Sequence, residues 1–489
     1  MPSKETMRRL LTIGALVLLV ALASSAQERL CFERVPCVHG EGMAQRATTR
    51  SLPPFYQDWN PLRVYRQAVI LVQYADMAFS MSDPKTYYHE LLNVSSSNTR
   101  GGVGCAADYF RDQSRGLFNA QFDVIGPVKV SHSAQNIRSY AEDACREAVK
   151  KAVDSLHVDF SPYDWDGDNS IEQIAFIMSG YCANGGGSAF SKYVWPNTNM
   201  FYDEKVTEKL KVGQFSVSAE KWFNGNPCGI GTFCHEYSHC LGLPDIYPTS
   251  GGGFTQVDEW DLMDGGNYTA WGWCPPNYSA LERSLLGWLT FEEITGPLTV
   301  ADLKPVDRGG KAYKMVKQGD EFYVLENRQQ SGWDSYLPGK GLLIAHVYFD
   351  QNAWRYNTVN AYTPKRYDLL HADGMDYEAW ELYVKAKGLT AYVDTEKRLC
   401  RRHLSTSPYP LLTDTLEVHE CADLPLPLTN IQLSADGRIS FEVVTTGMNL
   451  SPVLSQGEGY WYDLQGRRLQ GRPQRRGIYI HKGKKESIR

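Results

Sequence analysis

Apolar residues recur along this chain in two different rhythms. Gln67-Ala-Val-Ile-Leu-Val-Gln-Tyr74 is an almost unbroken apolar, β-branched run, the pattern of a strand covered on both faces. Gln121-Phe-Asp-Val-Ile125 and Gln173-Ile-Ala-Phe-Ile-Met178 read as further strands. Between them, Thr86–Leu92, Cys105–Gln113 and Ser139–Val153 place apolar residues at helical spacing, and Gly116 stops the second helix. This alternation predicts an α/β or α+β domain over residues 66–295. From about residue 296 the rhythm is that of strands alone: Glu321–Glu326, Gly341–Val347 and Arg438–Val444, separated by Gly, Pro and Asp turns. A β-rich, sandwich-like region is expected over 296–450, and His346 in its second strand reads as a packed core residue. Residues 351–430, rich in Tyr, Asn and Pro, follow neither rhythm.

The ends differ from the middle. Lys4, Arg8 and Arg9 precede an apolar run from Leu10 to Leu22, and Ser24-Ser25-Ala26 follows it. The run is too short for a confident membrane span and reads as a secretory signal over residues 1–26. No other stretch approaches a span, so the mature protein is expected to be secreted or held at the cell surface without a transmembrane segment. Residues 27–65 sustain no period and read as a short pro-segment. Its Cys37 is a candidate latency ligand, a thiolate lent to a metal, although a disulfide with Cys31 is the plainer reading.

Composition narrows the class. The 489 residues are 43% hydrophobic and 12% aromatic, enough for a globular chain of two or three domains. A net charge of −6 points to no nucleic-acid partner. Eleven cysteines can pair in an exported protein, with at least one left over.

The chemistry concentrates in Gly231-Thr-Phe-Cys-His-Glu-Tyr-Ser-His-Cys-Leu-Gly-Leu-Pro-Asp245. On a helix, His235 and His239 lie four apart on one face and can grip one Zn²⁺. Glu236 stands beside them, placed to take a proton from a water that the metal polarises. Gly242 can end the helix in a left-handed turn, Pro244 prevents its return, and Asp245 becomes the candidate third zinc ligand. Glu259 and Asp261 are its rivals. The extended spacing resembles the metzincin pattern, with Asp where a third His is usual. Trp260-Asp-Leu-Met263-Asp-Gly-Gly266 looks like the metzincin Met-turn, with Met263 as an apolar floor. Tyr268 and Tyr247 are both candidates to steady an oxyanion.

A second cluster is acidic. Asp164, Asp166, Asp168 and Glu172 stand at loop positions 1, 3, 5 and 9, a spacing that can wrap Ca²⁺. It is not an EF-hand, because Asn169 occupies the sixth position and Ala175 the twelfth. Asn still tolerates a left-handed turn.

Several of these stretches stand in the order found in the immune inhibitor A-like family of secreted bacterial metallopeptidases. They are Ala68–Tyr74, Asp108-Tyr-Phe-Arg-Asp-Gln-Ser114, Phe122-Asp-Val-Ile-Gly-Pro127, the acidic loop, the zinc motif with Leu243-Pro-Asp-Ile-Tyr247, Trp260–Met263 and Leu286-Gly-Trp288. The resemblance implies a metzincin-like α+β catalytic domain, zinc on His235, His239 and the Asp245 position, Glu236 as base, and protein or peptide substrates. Ile246 follows Asp245 where some members carry Glu. The tail, residues 451–489, holds Tyr460–Leu469 and Gly477–Ile480 as two short strands around a basic turn. It resembles a type IX secretion sorting signal, which implies the secretion machinery as a partner, although Lys484–Arg489 departs from the usual ending. The expected function is a zinc-dependent endopeptidase. A surface adhesin that kept the fold is the alternative from another class, and a hydrolase of non-peptide bonds a further one.

Overall fold

The computed structural model describes residues 52–95, 101–250, 255–375, 382, 386, 403–413 and 416–445, and in the tail 461–462, 468–469, 473, 477–481 and 484–488. The signal and Cys37 lie outside the described residues.

The apolar run becomes strand β1 (Val64–Gln73), the centre of a largely parallel sheet. Strands β2 (Asn119–Lys129) and β4 (Ile174–Tyr181) flank it in parallel. Strand β6 (Lys211–Lys221) lies parallel to β4. The short β3 (Ser170–Ile171) keeps the same register on β6 as β4 does, with Ser170 opposite Lys211 and Ile174 opposite Phe215. The two are therefore pieces of one strand, interrupted at Glu172 and Gln173. Strand β5 (Asn197–Lys205) pairs antiparallel with β6.

Both faces of β1 are covered, which is why its sequence lacks alternation. Tyr65, Val69 and Leu71 enter one core, and Ala68, Ile70 and Val72 enter the other. Burial of each of Val69, Ile70, Leu71 and Val72 stabilises the fold by about 1.5–3 kcal/mol. Helix α1 (Pro84–Asn93) starts at Asp83, whose Oδ1 accepts the Thr86 N–H at 3.1 Å. Helix α2 (Ala106–Gln113) starts with a reciprocal cap between Cys105 and Asp108. Both pack on the Tyr65 side, while α3 (Ala141–Asp154) lays Ala144, Cys145, Ala148 and Val149 on the Ile70 side.

β5 and β6 escape the apolar pattern. In β6, Ser216, Ser218 and Glu220 alternate with Val217 and Ala219, all buried. Glu220 is buried because it serves a loop: its carboxylate accepts the N–H groups of Ser80 (2.7 Å) and Gly180 (2.6 Å). A polar face normally signals solvent; here Glu220 meets backbone donors and the Ser218 hydroxyl donates to the Phe176 carbonyl (3.4 Å).

After helices α4 (Gly231–Cys240) and α5 (Ala280–Leu285), the chain becomes mostly strand. These are β7 (Glu292–Glu293), β8 (Leu298–Leu303), β9 (Ala312–Gln318), β10 (Glu321–Arg328), β11 (Gly341–Tyr348) and β12 (Tyr367–Leu369), with α6 (Gln351–Arg355) before the last. Then come β13 (Leu411–Leu412), β14 (Glu417–Val418), β15 (Leu428–Leu433) and β16 (Ile439–Val443). One sheet runs β12-β11-β10-β9-β7 and another β15-β16-β8. Tyr323 and Leu325 of β10 share a core with Val300 of β8 and Phe441 of β16, so these two sheets face each other. The alternate residues Phe322 and Val324 enter the Tyr65 core, alongside Phe233 and Tyr237 of α4. The five-stranded sheet thus has apolar residues in a core on each side, one of them the core that Phe233 and Tyr237 also enter. His346 is half-buried rather than packed in apolar surroundings. Its Nε2 lies 2.8 Å from Glu321 Oε1 and its Nδ1 3.4 Å from Asp368 Oδ1, and these carboxylates, Asp368 first, raise its pKa. In the tail, β17 (Trp461–Tyr462), β18 (Arg468–Leu469), β19 (Gly477–His481) and β20 (Lys484–Ile488) form one sheet in the order β18-β17-β19-β20.

Candidate metal centre

Helix α4 has no solvent face: all ten of its residues are buried. Phe233, Cys234 and Tyr237 join the apolar core. At its start Gly231 lies against the Asn267 carbonyl, where a Cβ would collide with backbone. At its end Leu243 N–H reaches back to Ser238 O (3.1 Å), and Gly242 adopts φ +102°. A Cβ on Gly242 would stand 3.0 Å from Phe55 Cα and Pro54 O, and Tyr56 N–H bonds Leu241 O at 3.2 Å. Residues 54–56, which fall in the expected pro-segment, are therefore packed on the end of the zinc-motif helix.

The reversal at Gly242 brings Asp245 to the two imidazoles. Asp245 Oδ1 lies 3.2 Å from His235 Nε2 and 3.3 Å from His239 Nε2. His235 Nδ1 is 2.8 Å from Leu262 O, and His239 Nδ1 is 2.7 Å from Leu243 O. A carbonyl only accepts, so each Nδ1 carries a hydrogen and each Nε2 is turned toward Asp245. Asp245 Oδ1 is a buried acceptor with no hydrogen-bond donor. Burial raises the Asp245 carboxyl; a positive charge on His239 or His235 would outweigh it and hold the group well below the usual carboxylate range. The spacing fits a cation. With ligand bonds of about 2.0–2.1 Å, tetrahedral donor atoms stand roughly 3.3 Å apart. His235, His239 and Asp245 thus form a set of donor atoms suited to a metal.

Glu236, the helix residue that follows His235, is buried. Thr198 Oγ1, on the edge strand β5, lies 2.6 Å from Glu236 O and 3.1 Å from Glu236 Oε2. Met263 is fully buried. Its N–H bonds Asp261 Oδ1 (2.8 Å) and its carbonyl accepts the Ile246 N–H (2.9 Å), so the turn is tied to the Asp245 loop. Asp261 is not grouped with the imidazoles but paired with Glu282. Burial first, then the charge of Asp261, raises the Glu282 carboxyl, which carries the proton of the pair. Glu259 is buried and likewise outside the His–His–Asp group. Burial, followed by the charge of Asp245, pushes the Tyr247 phenol well up and keeps it a hydrogen-bond donor. Tyr268 OH accepts from Asn184 Nδ2 at 3.1 Å.

In the acidic loop, Asp164, Asp166 and Glu172 converge, and Asp168 does not join them. Asp168 Oδ1 instead accepts the Ser170 N–H at 2.7 Å. Asn169 takes φ +70°, the left-handed turn its side chain tolerates. Glu172 accepts the Trp165 N–H with both oxygens (3.0 and 2.9 Å). Its pKa is raised to about 7, first by burial and then by Asp166 and Asp164. The described cysteines, among them Cys105, Cys182 and Cys274, are free and buried.

Three residues at the site carry no signal in the sequence. Thr198 sits on a strand that the apolar pattern does not mark. Asn357 and Asn360 come from the unassigned 351–430 stretch. Asn357 contacts Asp245 through both its amide oxygen and its amide nitrogen (2.6 and 2.7 Å), and Asn360 Nδ2 bonds Ile246 O (2.9 Å).

Residues 69–285 match the family described as immune inhibitor A peptidase M6, catalytic domain. The chain is also 26% identical over 262 residues to immune inhibitor A of Bacillus thuringiensis subsp. alesti, covering 45% of this chain and 36% of that protein. The chain thus spans about a third of the length of the curated relative it matches. The matched region contains the whole His–Glu–His–Asp constellation and the acidic loop, and ends before β7.

Proposed function

We propose that this chain is a secreted, zinc-dependent endopeptidase. The observation that carries the reading is the convergence of His235 Nε2 and His239 Nε2 on Asp245 Oδ1, 3.2 and 3.3 Å away, with Glu236 buried on the same helix. Zinc held there supplies a Lewis acid that polarises a scissile carbonyl and acidifies water. Glu236 takes the proton of the attacking water and returns it to the leaving amine. Thr198 limits where that carboxylate can swing. Leu262 and Leu243 carbonyls fix the tautomers of His235 and His239, which keeps both Nε2 atoms as ligands. Tyr247 or Tyr268 donates to the oxygen that becomes negative. Met263 closes the floor and, through Ile246, holds the loop that carries Asp245.

Asp164, Asp166 and Glu172 hold a calcium ion in this reading, because the half-buried Glu172 stands against two other carboxylates and a cation offsets that repulsion. Export uses the N-terminal signal and the tail sheet. The peptidase test is casein digestion by the purified protein. Activity should vanish with a chelator and return with zinc. A chelator-insensitive rate, or no cleavage by a zinc-loaded protein, sinks the reading. The export test is deletion of residues 452–489 in the native host, which should abolish extracellular appearance without changing catalysis.

A further inference from the structure

We propose that Asn357 is a positioning residue for the metal centre: its side-chain amide sets the Asp245 carboxylate in place from outside the matched catalytic region. The inference rests on the metal-centre reading and adds to it a part of the chain that the motif does not reach.

Asn357 Nδ2 donates to Asp245 Oδ2 at 2.7 Å, and Asn357 Oδ1 accepts the Asp245 backbone N–H at 2.6 Å. The orientation of the amide is not arbitrary. A backbone N–H needs an acceptor and a carboxylate needs a donor, so only one of the two flips satisfies both. The pair of bonds fixes the backbone and the side chain of the same residue. With Oδ2 held, Oδ1 is left aimed at the two imidazoles, 3.2 and 3.3 Å away. A neutral amide does this without a positive charge that would compete with the metal for the carboxylate.

The clamp is itself held firmly. Asn357 has φ +56° and stands just past the C-terminus of α6. Its N–H bonds Trp354 O (3.3 Å) and the next N–H, of Thr358, bonds Ala353 O (2.8 Å), the paired closure that ends a helix with a left-handed residue. The Thr249 hydroxyl bonds the Asn357 carbonyl at 2.9 Å. The bland account is that Asn357 is only a helix terminator. That account explains its backbone, for which Gly would serve as well, but not the two bonds to Asp245.

The experiment uses the full mature chain. Zinc affinity is measured by competition with a chromogenic chelator at pH 8, and melting of the metal-free protein is followed separately. Asn357→Gly keeps the left-handed backbone and removes the clamp. Its zinc affinity should fall about 10–100-fold, with melting of the metal-free form close to wild type. Asn357→Ala should lose the same affinity and melt lower, because Ala is strained at that φ. Asn357→Asp keeps shape, backbone tolerance and the acceptor for Asp245 N–H, but puts an oxygen where the donor was. It guards against misfolding of the Gly variant and should lose at least about tenfold. Wild-type zinc affinity in a folded Asn357→Gly or Asn357→Asp protein overturns the clamp and leaves the metal centre standing. A wild-type protein that binds no zinc overturns both.

Discussion

Asp245 and Asp166 both present a carboxylate to a group of neighbouring donors, but their supports come from different distances. Asp245 is buried, and its side-chain partner Asn357 lies 112 residues further on. Asp166 is exposed, and its Oδ1 accepts the N–H of Asp168, two residues away. The aspartates of the acidic loop are held by local hydrogen bonds, Asp164, Asp166 and Asp168 each accepting N–H groups from within five residues. The His235–His239–Asp245 group draws instead on helix α4, the loop tied to the Met263 turn and the 357–360 segment. Arg328 of β10 adds to this brace: it pairs with Asp334 through two bonds of 2.8 Å and reaches Trp260 O at 3.3 Å, just before the Met263 turn. A site built from distant parts can be rigid and dry, as catalysis needs. A site built from one loop can bind an ion but positions nothing else.

The largest test of this contrast is at Glu236. Glu236→Gln keeps the volume and the neighbours and removes the base. Casein hydrolysis should fall by about 10²–10⁴-fold or more, while zinc content by metal analysis stays near one per chain. Near wild-type hydrolysis would show that the proton goes elsewhere.

Next in size is a pair of variants on the ligand loop and the Met263 turn. Asp245→Ala should purify largely without zinc and inactive. Asp261→Asn should retain the metal, because Asn still offers Oδ1 to the Met263 N–H and Asp261 stands with Glu282 rather than with the imidazoles. Zinc lost from Asp261→Asn but kept in Asp245→Ala would reverse the ligand assignment.

These outcomes bear on how far the sequence can be read. His235, Glu236, His239 and Gly242 were legible because their geometry is local: helical spacing puts the two imidazoles on one face with Glu236 next to His235, and Gly242 follows in a left-handed turn. Asp245 was legible as the candidate that a reversal at Gly242 delivers, but with Glu259 and Asp261 as rivals, since how far the reversed chain reaches is not a local property. Strand β1 was legible because both its faces are apolar. β6 was not, because Glu220, Ser216 and Ser218 fill one face with polar groups whose partners are backbone N–H groups or other strands. Asn357 was not legible at all. Its sequence neighbourhood, Arg355-Tyr-Asn-Thr358, looks like any helix end, and its role depends on contacts across the whole chain.

The smallest effects are expected in the acidic loop, where two aspartates make a matched pair. Asp166 and Asp168 are both exposed, and each uses Oδ1 to accept the N–H two residues on, at 3.1 and 2.7 Å. Replacement by Asn keeps that acceptor in both cases and removes one charge. They differ in one respect: Asp166 converges with Asp164 and Glu172, and Asp168 does not. Calcium bound only by the folded chain stabilises it by about 2.7 kcal/mol at a hundredfold excess over Kd. Melting of the chelator-treated protein, with and without added calcium, reads that linkage as a shift in Tm. Asp166→Asn should lose most of the shift, because an ion at this site depends on the summed charge of few ligands. Asp168→Asn should keep most of it. Equal losses in the two variants would mean that the ion takes all four acids of the 1, 3, 5, 9 spacing, with Asp168 turning inward when the ion binds. No shift in the wild type would leave the loop as an acidic turn, held by its own backbone bonds.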